Sequence, residues 1–338
     1  MPGNEPFGPT HDWKRSGDRD MNDGSSVDND GKGHIVVRRY GIDQQVLSTL
    51  SYQYPLKLIS PRGLGQPCLS VFIMSYGGGL VGGDQIDLSI TIEKESKLSL
   101  LTQGSTKIFK QRGKSTMQTG LSTVTAQTMK VVIEEGGLLA LLPDPVQPFS
   151  DSCYRQYQSF EMHSKGNLIL LDWVTSGRPA RGENWTLSSF RSRNDIFEIP
   201  SPEEPSPKEP SPEKLSPPRD KKLVLRDTLI LNSNVARSMS PHECFATLIL
   251  RGPLLQTFSE SVVEKFRNEE RVRRPSAFNA NEGKRDRATW TAGMARGCCV
   301  VKVMGEKSEV VKEFLRELIV VEEMEKLLGR EAFRALFC

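Results

Sequence analysis

The sequence predicts a mainly β protein: a β-helix-like stack of strands with two or three helices in its C-terminal part. Three observations carry this. Apolar and polar residues alternate with period two in segment after segment, as Ile86, Leu88, Ile90 and Ile92 do against Asp87, Ser89 and Thr91. Turns rich in Gly, Asn or Pro recur roughly every ten residues between these segments. No helix-length apolar period occurs before about residue 254, which excludes alternating βαβ units and with them most nucleotide-binding architectures.

Residues 1–33 are rich in Gly, Asp, Asn and Ser and poor in large apolar side chains, so they are expected to form a disordered tail. His11 and His34 flank it too sparsely for a metal-binding tail. A single domain is expected over residues 34–338. Order is expected from Ile35 to Tyr40. Residues 46–57 read as a strand ending at Pro55, residues 61–67 as loop, and residues 69–75 as a strand feeding a glycine run. Further strands are expected at 86–92, 98–101, 108–111, 117–128, 130–134, 138–142, 155–162, 167–174, 185–193 and 223–231, where β-branched and aromatic residues dominate.

Two insertions, at about 196–220 and 267–288, are expected to be disordered. The first holds eight prolines between residues 200 and 218. The second carries Arg267, Arg271, Arg273, Arg274, Lys284, Arg285 and Arg287. Thr257 with Glu260, and Ser261 with Glu264, spell capping boxes at the start of a helix. After a strand at 298–304, Ser308 is placed to cap a second helix. Its residues Val310, Val311, Phe314, Leu315, Leu318 and Ile319 fall on one core-facing stripe. Leu327, Leu328, Phe333, Leu336 and Phe337 predict a further helix broken at Gly329.

Composition narrows the function. The apolar fraction of 37% is low for 338 residues, as expected if part of the chain is not core. A net charge of +3, from 45 basic and 42 acidic residues, makes no case for nucleic acid or membrane partners. No apolar run approaches the length of a membrane span, and the first twenty or so residues lack the apolar core of a signal peptide. Six scattered cysteines read as reduced cytoplasmic thiols. Four histidines, none near another, exclude a structural zinc site, and no Gly-x-Ser-x-Gly elbow is present.

The most informative stretch is residues 75–107. Gly77, Gly78, Gly79, Gly82 and Gly83 fall within seven residues, and Asp84 follows at once. Gly77-x-Gly79-x-x-Gly82 is spelled like a dinucleotide fingerprint, but that motif needs a helix directly after it, and a strand pattern follows here. One alternative keeps this corner as the site of a β-rich enzyme or binding protein for a phosphate-bearing ligand.

Chemistry otherwise rests on a sparse polar set in apolar β context: Asp84, Thr102, Gln103, Lys107, Asp144, Asp172, Arg178, Arg181, Glu183 and Asp227. These residues hold turns through buried hydrogen bonds and ion pairs, or they handle a divalent cation in transit. Such cations accept carboxylate and carbonyl oxygen plus water. A protein that hands an ion on must bind it loosely.

The motifs carry a resemblance. YGGGLVGGD at 76–84, LTQGSTKIF at 101–109, LPDPVQPF at 142–149, the run from Asp172 and Trp173 through TSGRPARGENW to Trp185, and LRD at 225–227 occur in that order. In this combination, from about residue 50 onward, the chain resembles the urease accessory protein family UreD, called UreH in some bacteria. The resemblance implies a non-enzymatic cytoplasmic scaffold of β-helix-like fold. It implies binding to the urease apoprotein, to UreF and, through UreF, to the GTPase UreG, with two copies on a UreF dimer. It implies no tightly bound cofactor, but a transient passage of Ni2+ along an internal route. Carried over by position, Asp84, Asp144 and Glu183 line or gate that route. Gly78, Gly79, Gly83, Thr102, Gln103, Lys107, Arg178 and Arg181 supply structural or electrostatic support. The tail and the two insertions depart from the compact family pattern and point to a eukaryotic member.

Overall fold

Between Gln85 and Ile199 the long strands of the chain alternate between two facing sheets, so that each pair of them makes one flattened coil. The structure, a computed structural model, describes residues 30–41, 44–61, 67–110, 124–200, 221–273, 288–330 and 332–333. The first sheet runs in the order Lys222–Asn232, Ser189–Ile199, Cys153–His163, Thr125–Ile133, Gln85–Ile92, Asp30–Tyr40, Gln44–Tyr52. The second runs Thr289–Ala295, Cys298–Gly305, Cys244–Arg251, Asn167–Thr175, Leu138–Leu142, Lys97–Thr102, Leu69–Ser75, Leu56–Ile59.

In the first sheet, Gln85–Ile92, Thr125–Ile133, Cys153–His163 and Ser189–Ile199 pair in parallel. In the second, Leu69–Ser75, Lys97–Thr102, Leu138–Leu142 and Asn167–Thr175 do the same. This is the stack of coils that the sequence predicts. Asp30–Tyr40 continues the parallel pairing of the first sheet beside Gln85–Ile92, and antiparallel strands complete both sheets at both ends.

Parallel strands need cover on both faces, and the second sheet has it. All of Leu138–Leu142 is buried, as is every residue of Asn167–Thr175 except Asp172. Leu139, Leu141, Leu168 and Leu170 pack against the first sheet. Leu138, Ala140, Leu142, Ile169, Leu171 and Trp173 pack on the opposite side, beneath the helices Gln256–Arg273, Ser308–Ile319 and Glu322–Leu328. Each Leu or Ile side chain among these contributes about 1.5–3 kcal/mol on burial. The first sheet is covered on one face only, and its strand Gln85–Ile92 accordingly alternates buried and partly exposed residues.

Most of the stripe expected on the second helix is core: Val311, Leu315, Leu318 and Ile319 are buried and Phe314 packs against them half-buried, while Val310 is half-buried. Trp290 joins this helix to the first, with its ring 5.2 Å from Phe266 and 5.1 Å from Phe314. Gly329 ends Glu322–Leu328 with φ 84°, as expected of a C-terminal glycine. Among the described residues no helix is long and apolar enough to cross a membrane.

Several boundaries differ from the sequence expectation. The first strand begins at Asp30, so residues 30–33 are not tail. A Cβ at Gly33 would come within 2.5 Å of Leu56 Cδ2 and 2.8 Å of Leu88 Cδ1, so glycine there serves packing. Residues 46–57 divide between Gln44–Tyr52 in one sheet and Leu56–Ile59 in the other. The strand expected at 185–193 is Ser189–Ile199, so residues 196–199 belong to the sheet rather than to an insertion. Likewise residues 267–273 continue the helix Gln256–Arg273. Thr257 and Ser261 both lie inside that helix, which is entered from the 3-10 turn Pro253–Leu255. Ser308 is the first residue of its helix, and Lys307 precedes it as the cap. One helical turn, Ala236–Met239, precedes residue 254. Residues 1–29, 201–220 and 274–287, which hold most of the tail and both insertions, lie outside the described residues, as do residues 111–123.

Candidate functional site

The motif stretches, far apart in sequence, meet at one end of the coil. Gly79 and Leu80 pair in parallel with Lys107 and Ile108. Thr106, Lys107 and Ile108 pair with Val146, Gln147 and Pro148, and Val146 pairs with Val174. Gln147 Nε2 donates to the Gly177 carbonyl at 2.7 Å. Each stretch is the corner of a successive coil, so parallel winding stacks them.

The glycines serve this end for two reasons. Gly77 and Gly78 take φ of 76° and 73° at the 3-10 turn Tyr76–Gly78. Gly79 has an ordinary extended φ, but a Cβ on it would lie 2.6 Å from both Lys107 O and Phe109 Cε2. The turn leads into the strands Gly79–Leu80 and Gln85–Ile92. The corner therefore offers no helix N-terminus for a phosphate.

The three acids carried over by resemblance sit in three different settings. Asp84 Oδ2 accepts the Val81 N–H at 2.9 Å and so closes its own turn; partial burial pushes its carboxyl up, and the Val81 N–H opposes this. Glu183 is gripped by the Arg178 guanidinium and accepts the Ser150 N–H at 3.3 Å, and Arg178 holds its carboxyl below the usual range. Arg178 also lies 3.9 Å over the Phe149 ring, which meets Phe109 edge-on at 5.3 Å. Asp144 Oδ2 accepts Gly104 N–H at 2.8 Å and Thr102 Oγ1 at 3.3 Å, and burial pushes its carboxyl up.

Of the three, Asp144 alone lines a cavity of about 40 Å³ between the sheets; Asp84 and Glu183 are outside its lining. Thr102 lines it as well. Gln103, Lys107 and Arg181 are exposed, Gly78 lies in the 3-10 turn, and Gly83 turns the chain before Asp84 with φ 96°.

From the cavity a polar row crosses the interior. In the first sheet Gln127, Gln156 and Ser192 share one register level, and Met129, Gln158, Asn194 and Asp227 share the next. From the second sheet Asp172, Thr247 and Lys302 share a level. Asp172 joins the sheets. It accepts Gln156 Nε2 at 3.2 Å on one oxygen, and Ser192 Oγ at 2.6 Å and Asn194 Nδ2 at 2.7 Å on the other. Tyr154 donates to Gln156 Oε1 at 3.2 Å. Burial raises the Asp172 carboxyl above the usual range; its three donors oppose this and the charge of Asp227 adds to it. Gln158 Oε1 and Asn194 Oδ1 are buried without a hydrogen-bond partner among the described residues.

Carboxylates, amide carbonyls and hydroxyls are hard oxygen donors, suited to a divalent cation that keeps part of its water. Among the described residues no three His, Cys, Asp or Glu side chains converge as a closed metal site. The row can solvate an ion at successive points without enclosing it. Asp172 and Asp227 stood in the sparse polar set, but the family motifs drew attention to Asp84 and Glu183 instead. Gln127, Gln156, Gln158 and Asn194 read as ordinary strand residues. One signal was available: Tyr154, Gln156 and Gln158 share the phase of buried Phe160 and Met162, which puts amides on an inward-facing row.

Architecture and site together define a β-solenoid protein with a helical layer on one face and an oxygen-lined interior. The family model described as UreD urease accessory protein matches residues 29–335, and the chain belongs to that family. A fission yeast protein, from Schizosaccharomyces pombe, described as an uncharacterized urease accessory protein ureD-like, is 33% identical over 295 residues, 84% of this chain and 91% of its own length. Urease accessory protein D of Arabidopsis thaliana is 28% identical over 321 residues, 89% of this chain and 99% of its own. Urease accessory protein UreD of the bacterium Sorangium cellulosum is 29% identical over 289 residues, 85% and 78% respectively.

Proposed function

We propose that this urease accessory protein is a cytoplasmic, non-catalytic scaffold that binds the urease apoprotein and UreF, and UreG through UreF. Two copies sit on a UreF dimer, and Ni2+ passes through the interior of each on its way to the urease active site. Nickel is cargo here, not a resident cofactor. The observation that carries the passage is the polar row: Asp144 at the stacked corners, the cavity behind it, Asp172 joining the sheets, and Asp227 beyond. Two buried carbonyl oxygens without hydrogen-bond partners among the described residues, on Gln158 and Asn194, lie along it. Asp84 and Glu183 hold the corners in place in this reading, and Asp144 alone of the three meets the ion.

Co-expression with UreF tests the scaffold: the complex is expected to co-purify, and a chain that stays monomeric and indifferent to UreF contradicts the reading. Asp144→Asn in a reconstituted urease activation tests the passage. Activation is expected to fall with UreF binding intact; full activation contradicts it.

A further inference from the structure

The interior row ends on a fixed positive charge. Asp172 is in register with Thr247, and Thr247 with Lys302, so the three stand side by side on neighbouring strands of the second sheet. Lys302 Nζ donates to Asp227 Oδ1 at 2.7 Å and to Thr247 Oγ1 at 3.4 Å, and lies 5.5 Å from the centre of the Phe245 ring. Asp227 is in register with Asn194, whose amide donates to Asp172. An unbroken chain of neighbours therefore links the ammonium to the carboxylate that joins the sheets. Asn194, in register with one carboxylate and bonded to the other, is 1% exposed, and its Oδ1 has no hydrogen-bond partner among the described residues.

We infer that Lys302 is a tethered counter-ion that occupies the far end of the row, so that a divalent cation reaching Asp227 must displace the ammonium. This rests on the reading that the row carries metal, and it names what keeps the row's grip loose. A divalent ion and an ammonium compete for the same carboxylate, because like charges a few ångströms apart repel strongly away from bulk water. The pair is asymmetric in a way that suits displacement. The Lys302 side chain is 38% exposed and that of Asp227 15%, so the cation has a way out to water while the anion stays. Lysine's compact, strongly hydrated charge on a flexible stem can swing away, where an arginine fork would tend to hold two bonds at once.

Equilibrium dialysis of the full chain against Ni2+ tests the assignment, with K302M, K302Q, D172N and the double variant K302M/D172N compared with wild type. K302M is expected to tighten Ni2+ binding about tenfold by removing the competing charge. K302Q, which can still donate to Asp227, is expected to shift affinity in the same direction and serves where K302M does not fold. D172N is expected to weaken binding and to abolish the gain in the double variant. Equal affinity of wild type and both Lys302 variants, with D172N still weaker, would overturn the counter-ion and leave the passage standing. Equal affinity of all variants, D172N included, would overturn both.

Discussion

Thr102 and Asp144, 42 residues apart, hold each other by reciprocal hydrogen bonds. Thr102 Oγ1 accepts the Asp144 backbone N–H at 2.7 Å and donates to Asp144 Oδ2 at 3.3 Å. The pair ties the corner of one coil to the corner of the next and aims the carboxylate at the cavity. Thr102→Val keeps the shape and removes the hydroxyl, leaving an N–H unpaired. It is expected to cost about 1–3 kcal/mol, while Thr102→Ser costs less, read from urea midpoints. A larger loss in Thr102→Ser than in Thr102→Val would mean that the methyl group, not the hydroxyl, is what matters.

The glycine corner makes a prediction of rank. Gly77→Ala meets a positive φ but open space, and is expected to cost about 1–2 kcal/mol. Gly79→Ala meets no unfavourable φ but presses on Lys107 and Phe109, and is expected to cost about 1–3 kcal/mol and to displace the paired strand. Nuclear magnetic resonance shifts at Lys107 and Ile108 should move for Gly79→Ala and not for Gly77→Ala. The reverse pattern would mean the corner is not pressed against that strand.

Arg178 grips Glu183 and stacks on Phe149. Arg178→Lys keeps the charge but loses both the fork and the planar stack. Backbone amides of the hairpin 177–184 are expected to exchange hydrogen faster in the variant. Unchanged exchange would show that charge alone holds the hairpin. Arg178 holds the Glu183 carboxyl below its usual range, so the pair's contribution is present above the ordinary glutamate pKa and is lost as pH falls through the lowered value.

Asp172 titrates the other way. Burial raises its carboxyl, so between the ordinary aspartate value and the raised one the folded chain holds a proton that the unfolded chain has released. Its contribution to stability therefore falls as pH rises through that window. Asp172→Asn does not titrate, and its urea midpoint is expected to gain on wild type as pH rises from the ordinary aspartate value of about 4 through the raised one. A gap that stays constant or shrinks over that range would contradict the burial.

Much of the fold was legible because coils of this kind repeat one signal: alternating strands, a turn, and no helix until the helical layer. The chain ends of elements were less so. Gly31 and Gly33 look like tail by composition, but they permit close packing against residues brought in by another strand. Asp144 stands out in the sequence because prolines on both sides mark it. Asp172 could only be noticed as one acid in an apolar run, since both faces of its strand are buried and alternation is silent there. Its importance comes from Ser192 and Asn194, which reach it from the opposite sheet. Asp84 and Glu183 show the converse. Each belongs to a recognisable motif; Asp84 bonds within its own turn, and Glu183 bonds Arg178 of its hairpin and the Ser150 N–H.

The central claim is that the interior row conducts nickel, and nickel content tests it most directly. Urease matured in a reconstituted system with the Asp172→Asn scaffold would be assayed for metal per active site, with the complex formed with UreF measured in parallel. The account predicts a normal yield of complex and a fall of about tenfold or more in nickel loaded. Full nickel loading by an intact Asp172→Asn complex would contradict it.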